Sequence, residues 1–316
     1  MAEPVSVVVD TDPGIDDALA LLLAARWPRC RLRAVTVTYG NTTLAAANRN
    51  ARLVLRRAGA DVLTLPGCDR PLQRALVTAE DTHGKDGLGD HDMAAAQPVH
   101  PSPSALRDAL RAAGEPVTLI TLGPLTNLAM ALRLEPDLVR TRVARHVAMA
   151  GNLEAQGNTG PHSEFNVWCD PEAADEVLRA GLGTELVGLD VTRQLVIPAA
   201  AVHALTRHPE AEAQWLGRLL GCYVRFHREQ EGLAGAVIND PLAIALAVEP
   251  SWGRAEAVPI RVDLSDGPLR GRTAFGSRDA GDPVIGVFRQ FDRAAVHGIL
   301  LEHLFGRWLT LTDFGA

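Results

Sequence analysis

The stretch V-V-V-D-T-D-P-G-I-D-D-A-L-A-L, from Val7 to Leu21, constrains this chain more than any other. Three β-branched residues run into Asp10 and Asp12, a Pro-Gly pair turns the chain, and Asp16 and Asp17 open an apolar run. That pattern reads as a strand, a tight turn and a helix start, so four carboxylates gather at the carboxyl end of the first strand. In open α/β sheets this is the edge where ligands bind. An acidic residue at a helix start is an ordinary cap, favoured by the helix dipole. One cap needs one carboxylate, however, and four so close in sequence repel one another unless a cation sits among them. No Cys or His stands beside the cluster, so the cation is hard and oxygen-seeking, Ca²⁺ or Mg²⁺.

Short β-rich runs alternate with longer helical patterns along most of the chain, which predicts an α/β fold with an open, mainly parallel sheet flanked by helices. Strands are expected at Ser6–Asp10, Leu32–Tyr39, Val62–Leu65, Val117–Leu122, His146–Ala150, Glu185–Asp190, Val258–Leu264 and Val284–Phe291. The main helices are expected at Asp16–Ala25, Leu44–Ala58, Ser104–Ala113, Leu125–Leu134, Pro171–Ala180, Pro198–Arg207, Glu210–Arg228, Pro241–Val248 and Arg293–Phe305. No composition shift marks a linker, so residues 1–316 read as a single domain. Two Gly-rich loops, Asp81–Asp92 and Glu229–Ile238, stand out as mobile segments able to cover a ligand.

Aromatic residues make up only 4% of the chain, which leaves Ala, Leu and Val to build the core. With 31 basic and 38 acidic residues the net charge is −7, which offers no broad attraction to a nucleic acid polymer or an anionic membrane. The opening Met1-Ala2-Glu3-Pro4 carries no basic-then-apolar leader. The longest clean apolar run, Ala18 to Ala25, falls short of the ~20 residues of a spanning helix. A soluble, cytoplasmic protein is the expectation. Cys30, Cys68, Cys169 and Cys222 form no C-x-x-C pair and read as buried thiols.

Three further segments put polar groups where a strand or loop runs into a helix. T-L-G-P-L-T-N-L-A (Thr121–Ala129) ends a strand in a Gly-Pro turn, freeing the carbonyl of Leu122 or Gly123. E-F-N-V-W-C-D-P (Glu164–Pro171) is read as extended, which sets Glu164 and Asn166 on one side. I-N-D-P-L (Ile238–Leu242) offers Asp240 before an apolar helix. Taken singly, each also fits a plain turn, a surface edge or a helix cap.

Taken together, these segments resemble the nucleoside hydrolases, calcium-dependent N-ribohydrolases that split a ribonucleoside into ribose and free base. The likeness runs in order along nearly the whole chain, and D-x-D-P-G-x-D-D is its most specific part. The resemblance implies that Asp12, Asp17, Asp240 and the backbone oxygen of Leu122 ligate Ca²⁺, and that Asp12 accepts the proton of the attacking water. It implies that Asp16 meets the ribose 2′-hydroxyl, that Asn166 holds the ribose hydroxyls, and that Glu164 and Asn158 bind the 5′-hydroxyl. Asn41 matches an asparagine near the nucleophile and the ribose, Met149 a methionine lining the pocket, and Asp10 the first motif aspartate, behind the ligand shell. A homodimer or homotetramer working in purine or pyrimidine salvage is implied as well.

This chain carries Asn239 where many relatives place a histidine or a tryptophan before the last calcium aspartate. Asparagine has no proton to give at neutral pH, though it can hydrogen-bond a departing base. His83, matching a position near the base, is the alternative acid, with an unperturbed pKa near 6.5. Two other readings fit parts of the pattern. One is a nucleoside-binding protein that kept the calcium and ribose site but lost catalysis. The other is a haloacid-dehalogenase-like phosphohydrolase, which wants a lysine at a strand end, whereas the sole lysine is Lys85 in a Gly-rich loop.

Overall fold

The computed structural model describes residues 3–90 and 95–314. Met1 and Ala2, and the end of the first Gly-rich loop, His91 and Asp92, lie outside the described residues. The strands are β1 (Val5–Thr11), β2 (Cys30–Val37), β3 (Leu63–Pro66), β4 (Val117–Thr121), β5 (Val143–Ala148), β6 (Glu185–Leu186), β7 (Val196–Pro198), β8 (Gly235–Val237), β9 (Gly253–Val262), β10 (Thr273–Phe275) and β11 (Val284–Phe291). Nine form one sheet in the order β10-β9-β11-β6-β5-β4-β1-β2-β3, while β7 and β8 pair separately. From β11 to β3 the sheet is parallel. The antiparallel β9 and β10 finish one edge. The predicted open, mainly parallel α/β sheet is therefore present.

From β1 the chain winds one way to β2 and β3, then returns to β4 on the other side of β1 and winds on to β5 and β6. The strand order reverses between β1 and β4. At such a point the loops leaving neighbouring strands diverge and open a crevice at the carboxyl edge.

Two helices bring acids to that crevice. Ile15–Arg26 is buried along its length as far as Ala24, and Asp240–Val248 is buried throughout. They pack against each other. Each is apolar around its whole circumference, the pattern of a helix with no solvent face. Burial fixes both axes, and both N-termini, bearing Asp16, Asp17 and Asp240, come to rest at the sheet's carboxyl edge.

Three expectations are corrected. Glu185–Asp190 is not one strand: only Glu185 and Leu186 pair, and Leu189–Thr192 turns into a helix. The Asp190 carboxylate, instead of pointing from a strand, accepts the N–H groups of Leu153, Glu154 and Ala155. The stretch after Glu164 is a helix, Phe165–Cys169, because the Glu164 side chain accepts the Asn166 and Val167 N–H groups and caps it. Glu229–Ile238 is also more than a loop: a π-helical turn, His227–Glu231, prolongs the helix Ala211–Phe226, and β8 follows, paired with β7. Among the described residues no helix is long and apolar enough to cross a membrane.

Candidate active site

The floor of the crevice comes from the loop after β1 and its neighbours. Asp17 is tied down from four directions: by Thr11 Oγ1 at 2.5 Å, the Asp12 N–H at 3.3 Å, the Gly14 N–H at 3.0 Å and Asn41 Nδ2 at 2.7 Å. Asp12 accepts the Asn41 N–H through Oδ2 at 2.7 Å, and its Oδ1 is buried without a partner. A Cβ placed on Gly40 would lie 2.0 Å from Asp12 Oδ2, and one on Gly123 2.5 Å from Oδ1. Only glycine lets the backbone approach the carboxylate this closely. Asp10 faces away, accepting Thr36 Oγ1 at 2.5 Å and Asn127 Nδ2 at 2.7 Å.

Asp16 links the floor to the opposite wall. Its Oδ1 accepts the Tyr223 hydroxyl at 2.6 Å, and its Oδ2 accepts Asn239 Nδ2 at 3.1 Å. Carboxylate oxygens of Asp16, Asp17 and Asp240 all lie within 4.8 Å of one another, close enough to share one metal ion. Asp12, expected among the ligands in place of Asp16, is not in that tightest group. The Leu122 carbonyl, the fourth expected ligand, accepts Asn166 Nδ2 at 2.7 Å and keeps a second lone pair.

The electrostatics show how demanding this cluster is. Burial, and then Asp17, push the Asp12 carboxyl well above its usual range. Burial, with Asp16, Asp17 and Asp12, does the same to Asp240. Asp17 is raised to about 6, first by burial and then by Asp16. Two full charges about 5 Å apart repel by ~3 kcal/mol at an effective dielectric of about 20. A helix N-terminus returns only ~0.3–1 kcal/mol. The helix dipoles cannot hold these acids ionised together; a proton or a cation must. An all-oxygen donor set, a partnerless buried Asp12 oxygen and, among the described residues, no basic side chain bonded to the acids fit a hard divalent ion.

Above the floor lies a cleft of about 680 Å³, mouth included, lined by Asp16, Asn41, Leu122, Met149, Asn158, Glu164, Asn166, Asn239 and Asp240. Asp12 and Asp17 lie beneath it, fully buried. Glu164 spends its carboxylate on the N–H groups of Gly151, Asn166 and Val167, and burial raises its pKa. Asn158 accepts the Phe165 N–H at 2.9 Å. Asn239 has its NH₂ on Asp16, so its buried, partnerless Oδ1 is the free atom, an acceptor.

His83 also lines the cleft, but not as an exposed loop histidine titrating near 6.5. It ends a short helix, Glu80–His83, and is buried, and burial pushes its pKa down to about 4. The Ile15 N–H donates to its Nδ1 at 3.1 Å. The ring is therefore neutral near pH 7 with its proton on Nε2, which lies 3.3 Å from the Tyr223 hydroxyl. Tyr223 meets His83 edge-on at 5.3 Å and His227 at 5.0 Å. Tyr223, His227 and Arg193 line the cleft and were not singled out in the sequence. The first two were legible in principle, being one turn apart on a predicted helix that runs into a Gly-rich loop.

Fold and site together define an α/β protein with a buried, oxygen-only acidic centre at a topological switch point, under a polar cleft. The model of the inosine-uridine preferring nucleoside hydrolase family matches residues 7–298. An inosine-uridine preferring nucleoside hydrolase of Crithidia fasciculata is 34% identical over 87% of this chain and 89% of its own length. A pyrimidine-specific ribonucleoside hydrolase, RihA, of Photobacterium profundum is 36% identical over 77% and 80%. Among solved structures, a plant nucleoside hydrolase superposes with a TM-score of 0.84 at 30% identity, covering 96% of this chain and 99% of that one. A purine-preferring ribonucleoside hydrolase from Gardnerella vaginalis gives 0.85 at 27% identity, covering 95% and 98%. The chain belongs to the nucleoside hydrolase family, and it is a hydrolase of ribonucleosides.

Proposed function

We propose that this protein, one domain over residues 1–316, hydrolyses the N-glycosidic bond of ribonucleosides to ribose and free base with the help of Ca²⁺. The observation that carries the proposal is the buried meeting of Asp16, Asp17 and Asp240, with Asp12 bonded to Asp17 beneath them and, among the described residues, no basic side chain bonded to these acids. Asp12, Asp17, Asp240 and the Leu122 carbonyl would hold the ion; Asp17 and Asp240 already stand in the tightest acidic group, together with Asp16. Bound there, Ca²⁺ would lower the pKa of a water and help to orient the sugar. Asp12, through its free Oδ1, takes the proton from the attacking water. The carboxylates and carbonyls beneath the ribose offset the positive charge that grows on it as the bond breaks.

Asp16 faces the 2′-hydroxyl and Asn166 the ribose hydroxyls. Glu164 and Asn158 bound the 5′ end, Asn41 stays near the nucleophile, and Met149 packs against the sugar. On the base side, Asn239 Oδ1 accepts an N–H of the base, and neutral His83 contributes a hydrogen bond through Nε2. We further propose a cytoplasmic role in purine or pyrimidine salvage, as a homodimer or homotetramer, with no nucleic acid polymer as partner. The acidic balance of the chain supports the last point.

The test is a panel of purine and pyrimidine ribonucleosides assayed for ribose release before and after calcium chelation. Release that stops on chelation and returns with added Ca²⁺ is the expected outcome. Release indifferent to the chelator sinks the metal assignment, and tight binding of nucleosides without release sinks the catalytic one.

A further inference from the structure

The cleft does not end at Asn158. A second cavity, about 1550 Å³ with its mouth, lies beyond it and shares Thr82, Asn158, Arg193, Phe226 and Glu231 with the catalytic cleft. Its apolar walls are Phe226, Pro161 and Leu233. Arg193 is the only cation among the described residues that line it, and that charge is engaged. Arg193 Nη2 meets Glu231 Oε1 at 3.5 Å and the Gly157 carbonyl at 3.4 Å. Asp81 adds a second carboxylate. The wall thus offers apolar surface and a net negative charge, the opposite of a phosphate cradle. At the junction, Asn158 spends its Oδ1 on the Phe165 N–H, leaving its NH₂ as a donor to an acceptor atom on the 5′ carbon.

We infer that this cavity is a second subsite, which admits an uncharged, partly apolar substituent on the 5′ carbon of a ribonucleoside, such as a thioether, and turns away a 5′-phosphate. The inference rests on the ribose placement proposed above, with the 5′ end at Asn158 and Glu164. The reaction is unchanged: water delivers its hydroxyl to the anomeric carbon and its proton ends on the departing base. The substituent only fills space that a plain nucleoside leaves to solvent.

The experiment compares kcat/KM of the calcium-loaded full chain for its best ribonucleoside, the 5′-deoxy-5′-methylthio analogue and the 5′-monophosphate. The thioether should fall within ~10-fold of the parent and the phosphate at least ~10³-fold below it. Two variants that fill the cavity, Gln156→Trp on the surface and Leu233→Trp deeper in, should slow the thioether by ~10-fold or more while leaving the parent within ~2-fold. A cleaved parent with a thioether ~10³-fold slower, or variants that slow both substrates alike, overturns the subsite alone. A parent that is not cleaved overturns the catalytic reading, and the subsite falls with it.

Discussion

At the floor of the cleft Asp17 takes four hydrogen bonds from residues 11, 12, 14 and 41, three of them in its own strand and turn. At the rim the side chains come from far apart: His83 from a short helix, Tyr223 and His227 from a long one, meeting edge to face. Hydrogen bonds from Tyr223 and from Asn239, both to Asp16, join the rim to the acids. The contrast teaches where each half of the reaction is held. In the proposed reaction, charge and the attacking water fall to a centre that the local chain preorganises. The departing base meets a wall assembled by packing, where Asn239, His83 and Tyr223 are the polar groups at hand.

The sharpest way to break this division is Asp12→Asn, which keeps the shape and the Asn41 contact but removes the proposed base. It should lower kcat by ~10³-fold for every ribonucleoside and equally for a riboside whose leaving group needs no proton, such as a nitrophenyl riboside. A loss of only a few-fold would remove Asp12 from the chemistry. The rim should behave differently. Tyr223→Phe and His83→Ala should each cost ~10–100-fold on ribonucleosides and much less on the nitrophenyl riboside, because only the former need help at the departing base. If His83→Ala leaves inosine turnover untouched while Asp12→Asn abolishes it, the histidine has no part in leaving-group activation.

The smallest effect is read in stability. Folding raises Asp10 to about 7 and Asp17 to about 6, each chiefly by burial. A raised carboxyl binds more protons folded than unfolded, so the stability it supports is present below its unfolded pKa and is lost as pH rises through the folded value. Between about pH 4 and 7 this weakens the calcium-free floor. Burial lowers His83 to about 4 and His146 to about 3, which works the other way and masks the trend in a single curve. The calcium increment isolates the floor, since ion binding requires ionised carboxylates. The rise in Tm on adding Ca²⁺ should grow from pH 5 to pH 8; a constant rise would uncouple the acids from the ion.

Several parts of this molecule were legible before any fold was known, because they are local. The Val7–Leu21 segment announces strand, turn, helix and acids in one stretch, and β1 and the helix Ile15–Arg26 fall where it puts them. Asp240 before an apolar helix and Leu122 before a Gly-Pro turn were readable in the same way. Glu164 was found but placed on the wrong element, since a two-residue spacing fits a strand as well as a cap whose side chain takes the next N–H groups.

What sequence alone determined was thus the acidic centre, whose members repel too strongly to be explained as caps, and the α/β alternation around it. What only the tertiary structure decided was the rim and the charge state of its histidine. Tyr223 reaches Asp16 across 207 positions of chain, and no periodicity carries that pairing. His83 is neutral because a helix packs over it and takes away its water, and the desolvation of a side chain is a property of its neighbours in space rather than of its neighbours along the chain.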